Sequence, residues 1–526
     1  MIPQPSAPPS NTQVILRNSL WYGLELISGL FGSWLVSVIV ARVMGPQRLG
    51  YYTYISTLTT FTATVGAFGL PMTTRKYMSE YLNRGDRGLA RSLYGVTLRL
   101  QFWIAMAVTA VSLGLVFAFG DPTEHVISVL LVLNMAPRML GFIPSQANNA
   151  AEALRRNTVP AVLSATLTIS VTLLALWAGW GLPGLAAALL AGTLLDAGMK
   201  LYSVHSWLKD EPVPIAPALR KQMFVYSGQG LVLMLLNIVV WNRSDVFFLK
   251  LLNPDIKQVT FFNLAFNTVE KILMFPSSFA GPLGVTLMAQ YGRGEERMRT
   301  LAVEGARYSY LIALPLLVGL SCVAGPAVVL IYGNQYAPMV PVLIIVALLA
   351  VPKALMEPPT NLLQATENQG FLVAWGCFSG AVNIALDFLL TPRYGAVGAA
   401  IANGSAQTLA AVGIWVRAWQ LFKLDLRLGA FTRITAAAAG MALTTIAINR
   451  AMPSYAGLSL SIMAGALVWF VLLRWTRAMD QTDSQRLDTL GRSLPGKIRP
   501  IWRSLVSWII PVAVPRAGKS LKELNN

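Results

Sequence analysis

Apolar runs of about twenty residues recur from one end of this chain to the other. Coiled into a helix, such a run crosses the ~30 Å hydrocarbon layer of a bilayer. In lipid each segment must satisfy its own backbone hydrogen bonds, so helix is the expected form. A membrane barrel would show weaker, alternating runs of about ten residues. The expected spans are 20–43, 51–70, 100–119, 127–147, 159–180, 182–201, 223–252, 259–283, 308–331, 341–363, 371–390, 396–419, 431–448 and 455–475. The expected class is thus an all-α integral membrane protein with about fourteen transmembrane helices. Of 526 residues, 55% are hydrophobic and 12% charged, with a mean hydropathy of +0.56. These values exclude a disordered chain and argue against a soluble enzyme.

The formal net charge is +18. In a soluble protein that balance would suggest nucleic acid. Here basic residues cluster in alternate connections: Arg75, Lys76, Arg84, Arg87, Arg91 and Arg99; Arg155 and Arg156; Lys200, Lys209, Arg220 and Lys221. Topology accounts for them better, with both termini cytoplasmic and no nucleic-acid partner expected. Cys322 and Cys377 sit within apolar runs and read as small core residues; His125 and His205 are isolated. The outer connections are short, and nucleophile elbow, phosphate loop and metal-ligand spacing are all lacking. No enzymatic chemistry, cofactor or metal is therefore expected.

The chain repeats at an offset of about 215. APRMLGFIPSQANNAAEAL aligns with VPKALMEPPTNLLQATENQ, pairing Pro137 with Pro352, Arg138 with Lys353, Pro144 with Pro359 and Glu152 with Glu367. Farther on, Gly181 and Gly184 align with Gly395 and Gly398. Six spans separate the copies, and an even number keeps them in one orientation. Two parallel six-helix repeats about a pseudo-twofold along the membrane normal are expected, with two extra C-terminal helices. Recurrent small residues for helix packing are the alternative source of such a pattern. The expected segments are 1–19 (cytoplasmic), 20–201 (first half), 202–222 (linker), 223–419 (second half), 431–475 (two added helices) and 476–526 (basic tail). In the tail, IWRSLVSWIIPVAV is too short and too charged to span easily and reads as an interfacial helix. Pro137, Pro144, Pro352, Pro358 and Pro359 should kink their helices, either as packing irregularities or as bends that reshape a cavity.

Two stretches carry a family resemblance. ARVMGPQRLGYYTY with GAFGLPMTTRKYMSEYLNRGD resembles the start of the polysaccharide-exporting flippases. NIALDFLLTPRYGAVGAAIANG, with Asn383, Pro392, Tyr394, Gly395 and Gly398-Ala399-Ala400, resembles their second-half signature. The resemblance covers residues 12–420. It implies the fold shared with the multidrug-and-toxin extruders (a MATE-like fold). It also implies flipping of an undecaprenyl-pyrophosphate-linked oligosaccharide across a bacterial inner membrane, for O-antigen, capsule or exopolysaccharide. Membrane lipids, a polysaccharide polymerase and glycosyltransferases are the implied partners. Peptidoglycan-precursor flippases carry an arginine and acidic cluster in the first helix, whereas here that helix offers only Glu25.

Charge buried in lipid costs roughly 2.5–3.5 kcal/mol per group, so each instance needs a reason. Arg138 falls about 16 Å into the hydrocarbon, and Lys353 lies at similar depth. Facing one cavity, they would repel unless an anion such as a pyrophosphate lay between them. Snorkelling to the cytoplasmic edge, or capping a kinked backbone, is the alternative. Lys271 and Arg243 are further candidates for a cationic substrate lining, or for interhelical ion pairs. Among Glu25, Asp196, Asp245, Glu270 and Asp387, the expected ion-coupling residues are Glu25, Glu270 and Asp245. Rival readings are a cation-coupled multidrug extruder of the same fold, which would favour an acidic cavity, and a membrane glycan polymerase or ligase, which would need a sizeable outer domain.

Overall fold

Every regular element in the computed structural model is helical among the described residues, which are 11–241, 244–290, 295–366, 368–425, 428–479, 483–484 and 499–510. Side chains are described within these except at 11–33, 35, 123, 233, 235–241, 278–290, 295, 501 and 505. Nine helices among them are long and apolar enough to cross a membrane. The chain is a multi-pass membrane protein.

Two compact units can be distinguished. The first comprises residues 1–264, 331–338 and 376–403. It contains α1 (Asn11–Gly66), α2 (Leu70–Asn83), α3 (Arg87–Phe119), α4 (His125–Leu133), α5 (Met135–Ala150), α6 (Arg155–Trp177), α7 (Gly181–Trp207), α8 (Pro217–Trp241) and α9 (Ser244–Leu252). The second comprises 265–330, 339–375 and 404–526. Most of α10 (Lys257–Gln290) lies in it, with α11 (Glu295–Tyr332), α12 (Met339–Ala354), α13 (Glu357–Ala365), both ends of α14 (Gln369–Phe422), α15 (Leu428–Ala451), α16 (Tyr455–Trp475) and α17 (Arg499–Ile509).

Expected spans and helices coincide without matching one to one. Spans 20–43 and 51–70 share α1, which begins at Asn11 and breaks at Gly45, before Pro46. Spans 371–390 and 396–419 share α14, which breaks at Gly395. Spans 127–147 and 341–363 are instead each two helices, α4 with α5 and α12 with α13. At the second of these breaks, Pro358 and Pro359 open α13, where a proline ring would clash with the carbonyl four residues back in a continuous helix. Helix α2 was not expected. Its apolar residues occupy one stripe and its length is short, so hydropathy passes over it; Leu70, Tyr77 and Met78 are buried.

The repeat recurs as local geometry. Gly181 opens α7 at φ 60° and Gly395 opens the second arm of α14 at φ 54°. Both occupy the left-handed region, which costs a side-chain-bearing residue about 1–2 kcal/mol. At the second position the Gln258 Oε1 accepts from the Ala396 N–H at 3.0 Å, capping the new arm.

In the first unit, Leu70, Met78, Tyr94, Ile143, Ala147 and Val204 form one core, tying α2, α3, α5 and α7. In the second, Leu314, Ile434, Met441, Trp469 and Leu473 join α11, α15 and α16. Helix α17 turns Val506 and Ile509 inward and leaves Arg503, Ser504 and Ser507 exposed. Arg474 donates to the Trp508 carbonyl, and Asp483 accepts from Arg307 and Tyr308. Cys377, read above as a core residue, is exposed, and Cys322 is only partly buried.

Candidate functional site

Arg138 lies on α5, one residue after the buried Pro137 and six before the buried Pro144. Its guanidinium Nη1 donates to the Thr60 hydroxyl of α1 at 3.2 Å. That partner is neutral, and no carboxylate pairs with Arg138 among the described residues. The nearby carboxylate on α7, Asp196, accepts from Lys200 at 2.7 Å, one helical turn along the same helix. Among the described residues, then, a cation stands within a spanning helix without a carboxylate partner.

Lys353 has a different setting. Its Nζ lies 2.6 Å from the Glu270 Oε1 of α10, forming an ion pair within the second unit. The ammonium also sits 5.6 Å from the centre of the Phe266 ring. Glu270, expected as an ion-coupling group, is therefore the counter-charge of Lys353. Lys271 is the next residue on α10 and is partly buried. Arg243 lies outside the described residues, as does the side chain of Glu25.

Asp245, near the start of α9, anchors a polar cluster inside the first unit. The Asn403 amide donates to its Oδ2 at 3.0 Å and the Asn383 amide to its Oδ1 at 3.3 Å. The Asp387 carboxyl lies against that of Asp245 and accepts from the Thr391 hydroxyl at 3.3 Å. All five side chains are buried. Asn383 Oδ1 and Asp387 Oδ2 have no hydrogen-bond partner among the described residues. Two carboxyls in contact away from water cannot both stay charged without a proton or a cation between them. Carboxylate and amide oxygens are the ligands a hard cation prefers. Asn383, Asp387 and Thr391 recur every fourth residue through an apolar run, which puts them on one helix face. That spacing was the available signal. Sequence reasoning assigned no role to Thr391 or Asn403; it set Asp387 among the candidate carboxylates and, with Asn383, on one helix face as a polar packing residue.

In the second unit an apolar cavity of about 1110 Å³ is walled by Ile312, Leu316, Leu320, Trp469, Trp502 and Val506, among others, from α11, α16 and α17. Its lining accepts hydrocarbon and offers little to a sugar.

Comparison with known proteins adds three findings. The "Succinoglycan biosynthesis transport protein ExoT" of Rhizobium meliloti (strain 1021) is 24% identical over 388 residues, 71% of this chain and 74% of the relative. A solved "Lipid II flippase MurJ" in an inward closed conformation superposes with a TM-score of 0.69 at 15% identity, covering 87% of this chain and 98% of that one. An inward-facing multidrug resistance MATE family transporter of the MOP superfamily does so with a TM-score of 0.63 at 13% identity, over 77% of this chain and 98% of that one. At such identities the structural likeness establishes the fold. The model of the "Polysaccharide biosynthesis protein" family matches residues 39–341. With more than half of its length matched and the MurJ and MATE fold, the chain belongs to the polysaccharide biosynthesis protein family.

Proposed function

We propose that the chain is a flippase that carries a lipid-linked oligosaccharide across the bacterial inner membrane by alternating access, both termini being cytoplasmic. The carrying observation is Arg138, a guanidinium in a spanning helix whose hydrogen-bond partner is a neutral hydroxyl. Such a group is stable in the membrane interior when an anion visits it, and a guanidinium grips a phosphate with two parallel hydrogen bonds. The pyrophosphate of an undecaprenyl-linked glycan is the anion proposed. The succinoglycan transport relative supports a polysaccharide-precursor substrate. A drug-extruding reading would call for an acidic group where Arg138 stands.

In this reading Lys353 is a second contact for the headgroup, held ready by Glu270. Headgroup binding to Lys353 would break its ion pair with Glu270. Lys271 is a further cationic contact in the same reading. The apolar cavity beside α16 and α17 suits part of the polyprenyl chain, which would be costly to drag through a polar channel. Asp245 and Asp387, with Asn383 and Asn403, form the coupling site, taking a proton or a sodium ion in one state and giving it up in the other. The membrane potential supplies about 2.3 kcal/mol per charge per 100 mV, enough to bias such a cycle.

The test is export of the cognate glycan by Arg138→Glu in cells deleted for the native gene, with protein abundance measured in parallel. Loss of export at normal abundance supports the reading. Full export would remove the proposed anion site.

A further inference from the structure

A second basic feature lies away from Arg138, at the end of the first unit where α3 and α8 begin and α7 finishes. There a groove of about 1220 Å³ is bordered by Arg91 and Arg99 of α3, His205 of α7 and Arg220 of α8, and floored by Pro214 and Ile215 of the connecting segment. Neighbouring arginines at this end are neutralised: Arg84 pairs with Glu80 at 2.7 Å and Arg87 with Asp210 at 3.0 Å. Arg91, Arg99 and Arg220 pair with no carboxylate among the described residues. Arg99 donates one N–H to the Gly95 carbonyl at 3.1 Å, which leaves the rest of its fork free.

The rim is aromatic. Trp103 is 69% exposed and Tyr202 is 75% exposed, as suits the membrane–water boundary. From Arg99 an exposed stripe continues along one face of α3 through Trp103, Met106, Ala110 and Phe117. The groove therefore joins a cluster of guanidiniums to an apolar track. A free phosphate would use only the first. An amphiphile with a phosphate head and hydrocarbon tails uses both.

We propose that this groove binds an anionic glycerophospholipid of the surrounding bilayer, its phosphate held by Arg91, Arg99 and Arg220 and its acyl chains lying along the Trp103–Phe117 stripe of α3. Arginine is the side chain suited to this task, because its planar fork matches phosphate oxygens two at a time. Basic pockets between spanning helices are a recurrent way of holding acidic headgroups. The bound lipid would pin the 212–215 segment against α3 and α7. The site does not depend on which substrate Arg138 meets.

Native mass spectrometry of the purified full chain in detergent tests the proposal. The probes are palmitoyl-oleoyl phosphatidylglycerol, the phosphatidylcholine with the same chains, inorganic phosphate, and undecaprenyl pyrophosphate. Phosphatidylglycerol should remain bound through detergent exchange and phosphatidylcholine should not. The triple variant Arg91→Gln/Arg99→Gln/Arg220→Gln should bind it about a hundredfold more weakly, from roughly a fivefold step per arginine. A control triple at exposed basic residues elsewhere, Lys250→Gln/Arg393→Gln/Arg450→Gln, should bind as the wild type does. Arg99 is exposed, so Arg99→Gln keeps the test open if the triple variant misfolds. It should lose severalfold in affinity and part of the thermal stabilisation that phosphatidylglycerol confers. Equal binding by wild type and Arg99→Gln, or by the two lipids, would overturn the proposal. So would inorganic phosphate competing as well as the lipid, or undecaprenyl pyrophosphate displacing phosphatidylglycerol in preference to it.

Discussion

Arg138 and Lys353 occupy matching places in the repeat and have opposite electrostatic settings. Arg138 meets a hydroxyl and, among the described residues, no carboxylate. Lys353 meets a carboxylate, so its charge is offset. A repeat can thus preserve the place of a cation in the sequence while changing its partner. The uncompensated member is the one suited to meet an anionic headgroup first. The compensated member is held in an ion pair, and in the proposed reading it meets a ligand only when Glu270 lets go.

The largest effect should come from breaking the Arg138 side of this contrast. Arg138→Glu should lower glycan export by about a hundredfold or more at normal protein abundance, because a phosphate is then repelled instead of gripped. Arg138→Lys, which keeps the charge and loses the fork, should retain a measurable fraction in the same assay.

On the Lys353 side the expected defect is in folding before it is in transport. Glu270→Gln leaves an ammonium within the membrane without a counter-charge, at a cost of about 3 kcal/mol. Thermal melts of the detergent-purified variant should show it. The double variant Glu270→Leu/Lys353→Met removes both charges and should recover most of that stability. Its export then separates the two roles: recovery of stability without recovery of export would mark Lys353 as a headgroup contact as well as a pairing residue.

The buried acidic cluster should give an effect of intermediate size. Asp245→Asn and Asp387→Asn should each slow export about tenfold and abolish its response to the ion gradient, measured in vesicles with an imposed proton or sodium gradient. Asn403→Ala removes one amide donor to Asp245 and should shift the ion concentration needed without abolishing export.

The paired glycines offer the smallest and cleanest contrast. Alanine at either adopts an unfavourable φ, costing about 1–2 kcal/mol. At Gly395 the added Cβ would also lie 2.7 Å from the Gln258 Oε1, whereas at Gly181 nothing lies within 4 Å. Gly395→Ala should therefore lower the melting temperature more than Gly181→Ala.

These features differ in how far the sequence disclosed them. Hydropathy located the spans because lipid imposes length and composition on each crossing separately. It passed over α2, whose apolar residues form only a stripe, while the breaks it placed between spans 20–43 and 51–70 and between 371–390 and 396–419 match the non-helical Gly45 and Gly395. Placing Arg138 and Lys353 within helices was likewise a matter of counting residues. Their partners were not readable, since Glu270 stands 83 residues from Lys353 and Thr60 stands 78 from Arg138. The polar face of Asn383, Asp387 and Thr391 was written in plain four-residue spacing. What it faces was not, because Asp245 approaches from 138 residues away.

The most direct measurement is flipping of an undecaprenyl-pyrophosphate oligosaccharide in proteoliposomes, read by accessibility of the glycan to an external lectin. Wild-type protein is expected to move the glycan-lipid across and Arg138→Glu to leave it on its original side, while both fold and reconstitute alike. Equal movement by the two would contradict the role assigned to Arg138.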